Sequence, residues 1–225
     1  MKIAICISGL PRSYKQGFEE LKTHFLDKYE CDIYIHSWYD ITSTYETGHK
    51  FAPKVYYNFT EEDYQNIIDL YQPKSYNFQK PIPFDINEIT GINLGYKLNN
   101  ILSAALSAQS CFNLLEESKI DYDLIIRYRF DLQFTDYVSP KCIFLDDITK
   151  VDPNKISVFS FPKDSYILYY VYMDEDYSNW LEYHVTNPDL LSAEPLLKYH
   201  LTNNNIEINP VESGVSHWYT AGIIR

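Results

Sequence analysis

Three charged residues, Arg127, Arg129 and Asp131, alternate with apolar residues in the stretch 122–134. Successive side chains of a β-strand point to opposite faces, so these three would share one face of a strand. The apolar run 124–126 just before them is typical of a strand covered on both faces, and ligands of open α/β sheets bind beyond the carboxyl ends of such strands. The stretch therefore predicts two cations and a carboxylate at the mouth of a ligand crevice. The alternative is a half-exposed strand with a local Arg–Asp pair.

A second candidate segment follows the first predicted strand. The β-rich run Ile3 to Ile7 leads directly into Ser8, Gly9, Pro11 and Arg12, and helical spacing of apolar residues comes next. A small-residue loop between a strand and a helix directs backbone N–H groups towards the helix start, where an anion is favoured, and an arginine can add a charged fork. These residues are therefore candidates for binding a phosphate group. The alternative is an ordinary strand-to-helix turn with a surface arginine.

The segment Cys31 to Trp38 is the second predicted strand, and it ends in polar and aromatic residues. We expect His36 and Trp38 to lie on the same rim as Ser8 and Arg12, because the carboxyl ends of parallel strands meet at one edge of a sheet. The sequence thus predicts that three strands contribute candidate ligand-binding residues to a single edge.

The remaining periodicity predicts the elements that position these residues. Helical spacing of apolar residues predicts helices at 16–29, 61–71 and 96–118, and a further strand is expected at 75–79. Residues 41–59 lack periodicity and are expected to form a long loop or small insertion. Strands that alternate with helices indicate an α/β fold with a mostly parallel central sheet.

The size and charge of the chain limit the possible ligands. The 225 residues suffice for one domain, 1–225, which could also be one domain of a longer polypeptide. The net charge of −12 should repel nucleic acid and anionic membrane surfaces. A phosphate-bearing ligand must therefore be small and held by a local cluster of arginine, lysine or metal.

The cysteines and the N-terminal segment indicate the cellular compartment. The four cysteines, Cys6, Cys31, Cys111 and Cys142, have no spacing typical of a metal site, and three of them lie in or beside apolar segments. Such a pattern is typical of buried thiols in a reducing compartment. The first apolar run is too short for a signal peptide or a membrane span. We therefore expect a cytoplasmic protein without a transmembrane segment.

Several of these segments together resemble a known family. Four segments are similar to GT-A-like nucleotide-sugar glycosyltransferases of bacterial and large-virus surface glycan pathways: the strand and loop 3–12, the strand 31–38, the helix 103–110 that leads into the strand 122–131, and the stretch 193–201. The resemblance spans most of the chain. It implies a GT-A, Rossmann-like α/β/α sandwich that transfers a sugar from a nucleoside diphosphate sugar, such as a UDP- or GDP-sugar, to a hydroxyl of a glycan acceptor.

The resemblance also implies roles for individual residues. The donor-binding set comprises Ser8, Gly9, Pro11, Arg12, His36, Trp38, Arg127 and Arg129. Glu194, with Asp189 as a substitute, takes the place of the base that deprotonates the acceptor in enzymes of the inverting kind.

The expected metal site departs from the family pattern. Most GT-A enzymes hold a divalent cation with an Asp-x-Asp motif, but this chain has Arg129-Phe130-Asp131, so the first carboxylate is absent. Asp131 with His217 would hold Mn²⁺ or Mg²⁺, since these ions share substrate phosphates and keep waters. Alternatively, Arg127 and Arg129 would offset the leaving-group charge directly.

Two other functions compete with this interpretation. The segment Ser8 to Ser13 also resembles the phosphosulfate-binding loop of sulfotransferases, although Tyr14-Lys15-Gln16 fits that loop poorly. A non-catalytic module that binds glycans or nucleotides would explain the missing first aspartate.

Overall fold

The computed structural model describes residues 1–47, 55–83, 96–133, 160–161 and 222–223. The strands in these residues are β1 Ile3–Gly9, β2 Cys31–Trp38, β3 Tyr45–Thr47, β4 Val55–Tyr57, β5 Ser75–Gln79, β6 Leu124–Tyr128, β7 Leu132–Gln133, β8 Ser160–Phe161 and β9 Gly222–Ile223. The helices are α1 Tyr14–Leu21, α2 Glu61–Tyr71 and α3 Tyr96–Glu117, and a π-helical turn, Lys22–Leu26, continues α1.

The central sheet has five strands in the order β5-β2-β1-β6-β8. Strands β5, β2, β1 and β6 are parallel, and the short β8 pairs with β6 in the antiparallel direction. Strands β3 and β4 form a separate antiparallel pair, as do β7 and β9. The prediction of an α/β fold with a mostly parallel central sheet is confirmed.

Helices cover both faces of this sheet. On one face, Ile5 and Ile7 of β1 lie in a core cluster with residues of α1 and α2, such as Leu21 and Ile67. On the other face, the smaller Cys6 belongs to a second cluster that includes residues of α3. Because β1 is buried on both faces, its sequence is a continuous apolar run rather than an alternating one.

The strand order places a topological switch point between β1 and β6. From β1 the chain adds β2 and then β5 on one side, and it later places β6 on the opposite side of β1. The connection through α1 packs on one face and α3 packs on the other. In open α/β sheets, the ligand crevice is expected at the carboxyl ends of the strands that flank such a switch point. The last paired residues before this crevice are Ile7 of β1 and Tyr128 of β6.

The segment 41–59, predicted as a long loop or small insertion, contains the antiparallel pair β3 and β4. The strands themselves were not predicted. Ring packing explains them, since the ring of Tyr57 stacks on Phe59 with centroids 6.1 Å apart and Tyr45 contacts the same ring at 5.8 Å. Such ring contacts stabilise a short hairpin without any periodic pattern in its own sequence.

Candidate functional site

The charged cluster, defined as Arg12, Arg129 and Asp131, lies beyond the carboxyl ends of β1 and β6. Arg129 donates from Nε to Oδ1 of Asp131 at 2.9 Å and from Nη2 to Oδ2 at 3.0 Å. Nη2 of Arg12 lies 2.7 Å from the same Oδ2. Two guanidinium groups therefore bind one carboxylate, and the cluster carries two positive charges and one negative charge, a net charge of +1.

Burial within the charged cluster is uneven. The side chain of Asp131 is 2% exposed, whereas that of Arg12 is 19% exposed and that of Arg129 is 41% exposed. The carboxylate thus lies inside the protein and the guanidinium groups reach outwards. A ligand that approaches the cluster meets the cations first, which favours an anion.

A turn after β6, and not the strand itself, positions Asp131. Strand β6 ends at Tyr128, and the backbone N–H of Leu132 donates to the carbonyl of Arg129 at 3.5 Å across the turn. The predicted apolar face is observed, because Tyr128, Phe130 and Leu132 are all buried in the core cluster on the α1 and α2 side.

Arg127 lies apart from the charged cluster in the strand register. It is within β6, opposite Cys6 of β1, and its side chain is partly buried. Cys6 belongs to the core cluster on the α3 side. Arg127 lies within the strand, whereas Arg129 lies in the turn that follows the end of β6 at Tyr128. The predicted trio of Arg127, Arg129 and Asp131 is replaced by a trio with Arg12 from the loop after β1.

Close backbone contact joins the two segments that carry the charged cluster. A Cβ placed on Gly17 of α1 would lie only 1.7 Å from the carbonyl oxygen of Phe130. Helix α1 follows Arg12 directly, and Phe130 lies between Arg129 and Asp131. Gly17 was not predicted as part of the site. A glycine inside an amphipathic helix lowers helix stability, so its presence there could have indicated a close backbone contact.

The small residues after β1 lie beside the crevice with different exposures. Ser8 and Pro11 are buried. Gly9 has φ of +115°, and a Cβ built there would contact no atom within 4 Å among the described residues. The positive φ explains the glycine, because residues with a side chain rarely adopt it.

His36 and Trp38 are buried on the α3 side of the sheet and are not at an exposed rim. Nδ1 of His36 lies 2.7 Å from Oγ of Ser107 in α3, and the rings of His36 and Trp38 meet edge to face at 5.0 Å. Burial lowers the pKa of His36 to about 4, and the side chain of Gln79 opposes this shift only in part. The ring is therefore neutral at pH 7, and its predicted contact with a ligand is not favoured by this arrangement.

The contacts of Asp131 do not favour the predicted divalent cation. Both oxygens of Asp131 already accept from guanidinium groups at 2.9 and 3.0 Å. A cation bound to either oxygen would lie beside two positive charges, which costs Coulomb energy in a buried site. In the part of the chain that the structure describes, no three His, Cys, Asp or Glu side chains are grouped as metal ligands.

Three of the predicted site residues lie outside the described residues. These are the candidate bases Glu194 and Asp189 and the candidate metal ligand His217. Their roles stay predictions from the resemblance.

Comparisons with known proteins give no relative. No family model, no curated protein and no solved structure matches this chain. Within the described ranges, no helix has both the length and the apolar character needed to cross a membrane. The charged cluster and the segments that resemble GT-A-like glycosyltransferases are thus the observations that bear on function.

Proposed function

We propose that the protein is a GT-A-type glycosyltransferase that binds a nucleoside diphosphate sugar in the crevice beyond β1 and β6. The charged cluster is the observation that carries this proposal. Its net charge of +1 stands out in a chain whose net charge is −12. A local cation pair at the carboxyl ends of parallel strands is suited to a diphosphate group.

The exposed arginine nitrogens provide the chemistry that a diphosphate requires. Arg129 contacts Asp131 through Nε and Nη2, so its third nitrogen, Nη1, is not engaged in that pair. The side chain is 41% exposed, which leaves part of the guanidinium group accessible to a ligand. Guanidinium groups bind phosphate oxygens with two parallel hydrogen bonds, and this geometry orients the phosphate as well as neutralising it.

The transfer reaction needs charge compensation at the leaving group. The bond between the anomeric carbon and the diphosphate oxygen breaks, and its electron pair leaves with the nucleoside diphosphate. A bond forms from the acceptor oxygen to the anomeric carbon, and the hydroxyl proton passes to a base, for which Glu194 and Asp189 are the candidates. Arg12 and Arg129 would stabilise the developing negative charge on the diphosphate, usually the largest contribution in such reactions.

A non-catalytic nucleotide-binding module is the second candidate. It is favoured by the absence of the first carboxylate of the Asp-x-Asp motif and by the ion pairs that occupy Asp131. This candidate predicts binding of the same nucleotides without any turnover.

Thermal unfolding with nucleotides tests the proposal. In buffer with Mn²⁺, we expect UDP or GDP at about 100 times its Kd to stabilise the protein by about 2.7 kcal/mol, which raises Tm by roughly 5–10 °C for this length. Stabilisation by adenosine bisphosphate instead would indicate the sulfotransferase-like interpretation. The effective nucleotide is then supplied as sugar derivatives, and release of the nucleoside diphosphate is measured.

Two variants locate the binding site. Arg12→Gln should remove most of the shift in Tm, since it reduces the net charge of the charged cluster to zero. Lys22→Gln removes one positive charge from the exposed pair of Lys22 with Asp27 and should keep the shift. Binding without release of nucleoside diphosphate from any sugar derivative would favour the non-catalytic module, and no binding of either nucleotide would refute the proposal.

A further inference from the structure

We propose that the charged cluster binds the diphosphate without a divalent cation, and that Asp131 acts as the counter-ion of Arg12 and Arg129. The inference rests on the proposed function only in taking a diphosphate as the ligand. It assigns to Asp131 a role other than the metal ligand that the resemblance implies.

The hydrogen bonds of Asp131 support this role. A carboxylate has about four lone-pair directions. Arg129 occupies one direction on each oxygen, and Arg12 occupies a second direction on Oδ2. Mg²⁺ demands near-ideal octahedral geometry at about 2.0–2.1 Å, so a cation would have to displace a guanidinium group or lie against one.

The burial of Asp131 also favours its ion pairs with the arginines. The carboxylate is 2% exposed and therefore cannot be solvated by water. A buried charge requires a partner, and a guanidinium group provides both charge and hydrogen bonds. Conversely, two guanidinium groups that lie close together repel each other unless an anion lies between them. In the protein without ligand, Asp131 is that anion.

Variants of the charged cluster differ in net charge, and this difference predicts their affinity for a diphosphate. The cluster has a net charge of +1 in the wild type, +2 in Asp131→Asn and 0 in Arg129→Gln. If the arginines alone bind the anion, affinity follows this order, and Asp131→Asn binds at least as tightly as the wild type. If Asp131 holds a metal ion, Asp131→Asn binds more weakly and the wild type needs the metal.

Calorimetric titration with inorganic pyrophosphate distinguishes binding by the arginines alone from binding through a metal ion on Asp131. Each protein is titrated once in EDTA and once in Mn²⁺ at the same ionic strength, because screening affects all exposed charges. We expect the wild type to bind pyrophosphate in EDTA and to gain no affinity from Mn²⁺ beyond the effect of the Mn²⁺–pyrophosphate complex itself, which is measured without protein. Arg129→Gln should bind about 10- to 100-fold more weakly in EDTA.

Controls keep the result independent of folding. Far-ultraviolet circular dichroism checks each variant, and Arg129→Lys, which keeps the charge but loses the bidentate fork, replaces Arg129→Gln if the latter does not fold. Lys22→Gln removes an exposed charge outside the charged cluster and should change the affinity by less than about twofold. The wild-type titrations alone decide the metal dependence.

Three results would overturn the inference. The first is wild-type binding that requires Mn²⁺, the second is a folded Asp131→Asn protein that binds pyrophosphate tenfold or more weakly in EDTA, and the third is affinity that Arg129→Gln or Arg129→Lys does not change. None of these results refutes sugar transfer. If pyrophosphate binds as expected but no nucleotide sugar is consumed, the inference holds and the proposed glycosyltransferase activity fails.

Discussion

The two ends of the central sheet each hold a network around one aspartate, and the networks differ in charge balance. At the amino end, Asp32 of β2 accepts from Oη of Tyr122 at 2.6 Å and from Nζ of Lys74 at 2.8 Å. Oη of Tyr34 lies 2.7 Å from Oη of Tyr122 and extends this network into the core. At the carboxyl end, Asp131 binds two arginines. Asp32 forms an ion pair with one cation, Lys74, whereas Asp131 forms ion pairs with two.

This difference separates structural roles from ligand binding. The charges of Asp32 and Lys74 balance each other, and the Asp32 side chain is 28% exposed, so water also solvates it. Burial tends to raise the pKa of Asp32, but hydrogen bonds from Lys74 and Tyr122 together lower it below the usual value. Asp32 therefore has its hydrogen-bond and charge partners within the protein and needs no ligand. At the carboxyl end, two guanidinium groups bind one carboxylate, an excess of cations that favours a phosphate group.

The largest expected effect comes from neutralising one aspartate at each end. Asp131→Asn leaves two arginines beside a neutral group and should lower the free energy of unfolding by about 3–5 kcal/mol, as when one partner of a buried ion pair is removed. Asp32→Asn removes a partly exposed pair and should cost about 1 kcal/mol or less. Urea unfolding at low salt measures both.

Added pyrophosphate sharpens this contrast. It should restore part of the stability of Asp131→Asn, since it replaces the lost negative charge between the arginines, and it should leave Asp32→Asn no more stabilised than the wild type. Equal losses of stability at the two ends, or equal responses to pyrophosphate, would show that the charge excess has no consequence.

The elements of the sheet could be predicted from the sequence because their signals are local. The apolar run at the start of β1 and the segment of β2 need no information from elsewhere in the chain. Helix α2 has a capping box in which Thr60 and Asp63 bind each other reciprocally, and both residues are visible in the sequence. The β3 and β4 pair, which depends on ring contacts among residues 45, 57 and 59, was not predicted, and neither was the short β9.

The charged cluster could be predicted only in part. The sequence indicated Arg129 and Asp131 at the end of a buried strand, but alternation then pointed to Arg127 as the third member. The strand ends at Tyr128, and the following turn brings Asp131 to Arg12. Residues 12 and 131 are far apart in the chain, and no local pattern encodes their contact. The arginine in the loop after β1 was predicted as an anion ligand, and its partner was not.

A second test concerns His36, a buried polar group at the carboxyl end of β2 that lies outside the charged cluster. Its folded pKa of about 4 is below the value of about 6.5 expected in the unfolded chain. Below pH 6.5 the unfolded state binds a proton that the folded state does not, so stability should fall between pH 6.5 and 4 and should be unaffected above that window. The contribution reaches about 3 kcal/mol at pH 4.

A non-titrating variant isolates this contribution. His36→Gln can still hydrogen-bond Ser107, and its difference from the wild type in free energy of unfolding should shrink or reverse as the pH falls from 6.5 to 4. His24→Gln is the matched control, because His24 is partly exposed and Glu20, 3.6 Å away, opposes the lowering of its pKa by burial. Parallel pH profiles for the wild type and His36→Gln would mean that His36 is not held neutral by burial.

The smallest expected effect concerns the contact that joins the two halves of the charged cluster. Gly17→Ala places a methyl group against the carbonyl oxygen of Phe130, so α1 or the turn after β6 must move. Overpacking of this kind typically costs about 1–3 kcal/mol. The movement should also separate Arg12 from Asp131 and change pyrophosphate affinity, whereas the network around Asp32 at the amino end should be untouched.

A neighbouring substitution controls for helix propensity. Gln16 is exposed in the same helix, and Gln16→Ala should change the free energy of unfolding by less than about 0.5 kcal/mol. The two variants are compared by urea unfolding and by pyrophosphate titration in EDTA. If Gly17→Ala lowers stability but leaves the affinity unchanged, α1 can shift without moving Arg12, and the close contact serves packing alone. A loss in both measurements shows that the backbone contact at Gly17 sets the spacing of the two arginines.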